Sequence, residues 1–144
     1  MAITSAICNS FKQEILEAEH NFATSGGNTF NLALYDSDAV LSKSTTVYIT
    51  TEELATTGGY TAKGNALTSV TPVLDSDTAV CDFSNSSWTS ASFTARGCLI
   101  FNDSHSSDAA VCAIDFGGDK TVTSGTFTIE FPAAAASTAI IQIA

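Results

Sequence analysis

Positive charge is what this chain has least of. Five Lys and Arg stand against fifteen Asp and Glu, leaving a net charge of −10 at neutral pH. Nucleic-acid affinity comes largely from Lys and Arg displacing counterions, so binding across a broad face of DNA or RNA is excluded as an expectation. Electrostatic attachment to an anionic membrane surface falls for the same reason. No stretch approaches the roughly 18 consecutive apolar residues of a membrane-spanning helix. The opening residues lack a basic segment followed by an apolar run, so no secretory signal is expected and synthesis in a cytoplasm is. Only two prolines and two histidines occur. Cys8, Cys81, Cys98 and Cys112 form no C-x-x-C pair and no Cys/His spacing, so zinc is not indicated. With apolar neighbours around Cys98 and Cys112, they read as small buried core residues, free thiols rather than disulfides.

What is abundant is strand and turn material: Ser and Thr make up about a quarter of the 144 residues, beside nine Phe. Such a chain is long enough to bury roughly 68–70% of its unfolded surface in one core. A single domain over 1–144 is expected, with an N-terminal helix over 1–26 and a β-sandwich over 28–144.

The helix is read from Ile7, Phe11, Ile15, Ala18 and Phe22, which recur at steps of three or four, with Cys8 and Leu16 widening the stripe. Thr4 or Ser5 would cap it, and Ser25-Gly26-Gly27 would end it. Its apolar side should cover the chain's own sheet or, as the alternative, mediate contact with another subunit. From Asn28 the period becomes two. Phe30, Leu32 and Leu34 share one face of a strand that ends at Asp36-Ser37-Asp38. Thr45–Thr51 and Asn65–Val73 read as strands, the latter stopped by Pro72; Ala79–Phe83 follows, with a turn at Asn85-Ser86-Ser87. Ser92–Asn102 should be a central strand covered on both faces, paired antiparallel with Ala109–Phe116 across a polar loop. Gly117-Gly118-Asp119-Lys120 reads as a turn. A strand carrying Phe127, Ile129 and Phe131 ends at Pro132, and Ala139–Ala144 inserts into a sheet. About seven to nine short strands after one helix predict a mainly β protein, an antiparallel β-sandwich or jelly-roll-like domain.

Chemistry is harder to find. Asp36/Asp38, Asp75/Asp77 and Asp115/Asp119 read as solvated turn carboxylates, because calcium takes six to eight oxygens in ordered spacing. His20, near the end of the helix, and His105, in a serine-rich loop, are the only candidates for a neutral-pH acid or base. Ser104, Ser106 and Asp108 beside His105 imitate the components of a hydrolytic triad without the rigid spacing such a site needs. No catalytic, cofactor-binding or metal-ligating residue is therefore assigned, and no cofactor.

Several wordings carry a resemblance. Met1-Ala2-Ile3-Thr4-Ser5 with Ser10-Phe11-Lys12-Gln13-Glu14, then Thr29–Tyr35, Gly59–Gly64, Ala95–Asn102, Asp115–Lys120 and Phe127–Pro132, together resemble small virion structural proteins of tailed bacteriophages. That group is similar in size and β-rich character to capsid cement or decoration proteins. Cys81, Cys98 and Cys112 depart from its usual wording. The resemblance supplies no catalytic motif and implies a non-enzymatic head component with a major capsid protein as partner and a homo-oligomer, dimer or trimer, matching a capsid axis. The ten excess negative charges, disfavoured beside packaged DNA, place it on the outer capsid surface as an expectation. An alternative is a tail or fibre-associated protein that binds a host-surface glycan on Trp88 and Tyr60.

Overall fold

The computed structural model describes residues 2–144. Strand accounts for 48% of the chain and helix for 6%, arranged in two antiparallel sheets that form a β-sandwich. The elements are β1 (Ala6–Ile7), α1 (Asn9–Leu16), β2 (Phe30–Tyr35), β3 (Asn65–Ala66), β4 (Ser69–Asp75), β5 (Thr78–Phe83), β6 (Ser86–Asn102), β7 (Ala109–Ile129) and β8 (Ile141–Ile143). One sheet has the order β1-β7-β6-β2-β3 and the other β4-β5-β8. Between them, Phe30 of β2 and Phe83 of β5 meet with ring centroids 5.9 Å apart, and Phe22 stacks on Phe30 at 4.2 Å. No helix among the described residues is long and apolar enough to cross a membrane.

The helix is much shorter than the apolar stripe predicts. It stops after Leu16 because Ala18 takes a left-handed conformation (φ 61°). The Glu19 amide then donates to the Glu14 carbonyl at 3.0 Å and the Ala18 amide to the Ile15 carbonyl at 3.4 Å, the pair of bonds that closes a helix C-terminus. Gly26 and Gly27 lie beyond, in irregular chain. Neither Thr4 nor Ser5 caps the helix. Cys8 is the N-cap residue, without a side-chain bond, and the Ser5 hydroxyl instead accepts the Asp115 amide at 2.9 Å. The start is fixed by β1, whose Ala6 and Ile7 pair with Ala113 and Cys112. Phe11 is buried in the chain's own core as expected, whereas Leu16 is 88% exposed.

β6 is central, paired with β2 from Phe30↔Asn102 to Tyr35↔Gly97 and with β7 from Ser86↔Ile129 to Asn102↔Ala109. Cys98 to Asn102 and Leu32 to Tyr35 are all fully buried, so both faces of the sheet are covered here. Cover on the second face comes from residues 36–64, which cross the sheet as a long, mostly irregular excursion.

Four expected elements are corrected. Residues 45–51 form no strand: they meet β7 only at the bridge Val47↔Ala109 and then leave to cross the sheet. The run at 65–73 divides, because the chain passes from one sheet to the other between Ala66 and Ser69. Pro72 does not stop β4. It sits on an edge strand where the register shifts between Val70 and Val73, a place that needs no proline N–H. Ser86 and Ser87 open β6 rather than turning the chain, and Gly117–Lys120 is a bulge inside the continuous β7. There Asp115 pairs with Gly97 and Lys120 with Ala95, so the extra residues loop out with Gly117 at φ 76°. Ile141–Ile143 joins β5 as expected of the chain's last apolar run.

Candidate functional site

The most connected polar group lies where the 36–64 excursion crosses the large sheet. Glu53 is held there because its neighbour Leu54 donates its amide to the Leu34 carbonyl at 3.0 Å and Glu53 itself bridges Tyr35. Its carboxylate accepts the hydroxyls of Tyr48 and Tyr60 (the latter at 2.7 Å) and the Lys63 amide at 2.6 Å. The Tyr60 hydroxyl also accepts the buried Leu34 amide at 3.0 Å, and the Tyr35 hydroxyl donates to the Ile49 carbonyl at 2.6 Å. Burial first, then the Glu53 carboxylate, pushes the Tyr60 and Tyr48 phenols up, so both stay protonated donors.

Lys63 closes this group. Its ammonium donates to Asp108 at 2.8 Å and Asp103 at 2.9 Å, which raises its pKa, and it stands 5.6 Å from the centre of the Tyr48 ring. The Glu53 carboxylate, the Tyr48 and Tyr60 hydroxyls and the Lys63 ammonium are each bonded to another residue of the group. The arrangement fastens a loop. Sequence reasoning missed it, since Glu52-Glu53-Leu54 reads as a surface excursion and no spacing links it to Tyr48, Tyr60 or Lys63.

The two histidines, far apart in sequence, lie with ring centroids 6.3 Å apart. His20 is buried. Its Nε2 is 2.7 Å from Glu14 Oε2, and its Nδ1 accepts from the Asn102 amide at 3.1 Å. Since Asn102 Oδ1 accepts the Ser104 amide at 3.1 Å, its NH₂ group points at His20, and the His20 proton belongs on Nε2 facing Glu14. His105 Nε2 faces Glu19 at 3.4 Å, and its Nδ1 lies 3.0 Å from the Ser107 hydroxyl. The triad components are not brought together. Ser104 accepts the Thr29 amide at 2.8 Å, and Asp108 belongs to Lys63.

All four cysteines are free and buried, as expected. Burial pushes the thiols of Cys98 and Cys81 up to about 12 and that of Cys8 to about 11, with Asp82 adding to the effect at Cys81 and Glu14 at Cys8. Cys112 is raised by burial as well. Among the carboxylates, Asp115 is held below its ordinary value by Arg96, whose Nε donates to it at 3.0 Å, and by the Gly117 amide. Asp119 lies 3.8 Å from the same guanidinium. Asp75 accepts the Ala136 amide at 2.7 Å. Asp36, Asp38 and Glu52 bring carboxylate oxygens within 4.8 Å of one another, and Asp36 Oδ1 accepts the Asp38 amide at 2.9 Å.

Trp88 and Tyr60 are not surface platforms. They are 4% and 2% exposed, packed with ring centroids 6.2 Å apart beneath Phe93 and Phe127. The apolar surface lies elsewhere. A cleft of ≈ 540 Å³ is lined by Phe116, Phe127, Ile129, Phe131, Pro132 and Ile140, with the fully buried Cys98 behind them. A smaller, wholly apolar groove runs beside β8, lined by Ile15, Phe22, Ala79, Cys81, Ile141 and Ile143. Comparison with family models, curated proteins and solved structures gives no match to this chain.

Proposed function

We propose that this chain is a bacteriophage virion structural protein, a cement or decoration protein that binds the outer surface of the head and stabilises the capsid lattice. The observation that carries the reading is an acidic surface on a pinned β body. Net charge is −10, and two of the five basic side chains, Lys63 and Arg96, are already engaged by carboxylates of the same chain. DNA packed within a head disfavours such a body inside the shell and leaves it tolerated outside, although salt screens the effect beyond about 8 Å.

A cement protein acts by mass action: it binds the assembled lattice and not its separated parts, so each interface it spans is stabilised. That work needs rigidity more than chemistry. The Glu53 group supplies it by pinning the 36–64 excursion to the sheet, and the two apolar grooves offer contact surface for a major capsid protein or a further copy. Peptide counting on purified virions tests the reading. Copies in the hundreds, with heads that lose resistance to heat when the protein is absent, are expected. A handful of copies on the tail would replace this reading with the host-surface binder.

A further inference from the structure

We propose that the cleft of ≈ 540 Å³ is a ligand site, and that it takes a small amphipathic carboxylate, with an aliphatic body among the apolar walls and the carboxylate on Lys120. The volume falls within the roughly 300–1,000 Å³ of small-molecule sites. Phe116, Phe127, Ile129, Phe131 and Ile140 all line it and are only partly buried, so the core leaves part of their apolar surface unused. Most of the wall is paired strand. β7 bulges at Gly117, and its register with β6 slips again between Trp88 and Ala91 and between Ala91 and Phe93; such bulges bend and twist a ribbon. The rings of Phe116 and Phe127 end with centroids 6.3 Å apart, where an unbent strand would hold them roughly 35 Å apart.

The head group follows from which side chains face inward, since successive residues of a strand point to opposite faces. Partly buried Phe127, Ile129 and Phe131 alternate with exposed Thr128 and Glu130, and the Thr128 hydroxyl meets that of Ser87 on the outer face at 2.8 Å. Glu130 therefore points away from the cleft that its main chain borders. Lys120 has the opposite sense. Its neighbour Thr121 meets Thr94 on the outer face at 2.8 Å, while Lys120 pairs with Ala95 on the face of Phe93, whose ring centre lies 5.1 Å from that of Phe127. Asp115 and Asp119 both turn to Arg96, and among the described residues the Lys120 ammonium has no hydrogen-bond or ion-pair partner. An unpaired cation beside apolar walls suits an anion with an apolar body; an amine finds no carboxylate turned inward.

This goes beyond the head-surface reading and leaves the groove beside β8 for protein contact. The two fail separately, because copy number on the virion is silent on the ligand and ligand affinity is silent on the virion. The test is titration calorimetry of the full chain at pH 7.5 with decanoate, decanol and decylammonium. One decanoate per chain is expected, with a dissociation constant below about 1 mM and tighter than that of either analogue. Lys120→Gln should weaken decanoate about fivefold and leave decanol unchanged, whereas Glu130→Gln should leave all three unchanged. In NMR spectra, decanoate should shift the methyl signals of Ile129 and Ile140, which line the cleft, and not that of Ile143 in the smaller groove. No saturable binding, an analogue that binds as tightly as decanoate, indifference to Lys120→Gln, or shifts at Ile143 in place of Ile140 would each overturn the inference.

Discussion

Glu53 Oε1 accepts the Tyr60 hydroxyl at 2.7 Å while the same hydroxyl accepts the Leu34 amide at 3.0 Å, so one phenol links the excursion to the buried β2. Tyr60→Phe removes both bonds and leaves the Leu34 amide unpaired in the core. A loss of about 1–3 kcal/mol is expected from denaturant unfolding. Glu53→Ala, which also frees Tyr48 and the Lys63 amide, should cost more than Tyr60→Phe.

Ala18 holds the left-handed position that ends α1, where glycine carries no steric penalty. It is exposed, so nothing else is lost on substitution. Ala18→Gly should raise stability by about 0.5–1 kcal/mol, seen as a higher midpoint with unchanged slope.

Gly64 and Gly117 both have positive φ, yet they differ in surroundings. A Cβ on Gly64 would meet the Leu32 carbonyl oxygen at 1.7 Å, while a Cβ on Gly117 meets nothing within 4 Å. Gly117→Ala should cost only the conformational penalty, about 1 kcal/mol. Gly64→Ala should cost several times that, because the obstacle is the backbone of the central sheet.

The thiols make a chemical prediction. Raised pKa and burial keep all four protonated and inaccessible, so native protein at pH 8 should resist a thiol reagent that labels all four once the chain is unfolded. Rapid labelling of any one in native protein would contradict the burial described.

Two carboxylates pull the pH dependence in opposite senses. Asp115 has a lowered pKa in the fold, through Arg96 and the Gly117 amide, so its contribution is present above the unfolded value near 3.9 and is lost as pH falls through the folded value. Asp82 is raised by burial, against the opposing bonds of the Phe83 and Ile140 amides, so the folded state holds its proton longer. Its effect is a loss of stability as pH rises from the unfolded value through the folded one. Asp115→Asn should flatten the acid limb of stability against pH, and Asp82→Asn should remove a decline on the other side.

How much of this was legible in the sequence depended on whether the deciding contact was local. Phe30, Leu32 and Leu34 alternate within one strand, and the 92–102 and 109–116 runs declare their pairing through a short polar loop; all of that is local, and the fold bears it out. The apolar stripe runs past the end of the helix because the stop is made by Ala18, a residue other than glycine in a left-handed conformation, which no composition signal marks. Beyond it His20 and Phe22 are buried from irregular chain, so they continue the stripe without continuing the helix. Gly117-Gly118 read as a turn because a bulge and a turn use the same residues. The Glu53 group, and the meeting of His20 with His105, depend on chain crossings that no periodicity records.

The central claim is a place on a particle, and a reconstruction of the intact virion tests it most directly. The account predicts density for this β-sandwich on the outer face of the head, repeated over the lattice and bridging capsid subunits. Density confined to the tail, or lying against the packaged DNA inside the shell, would contradict it.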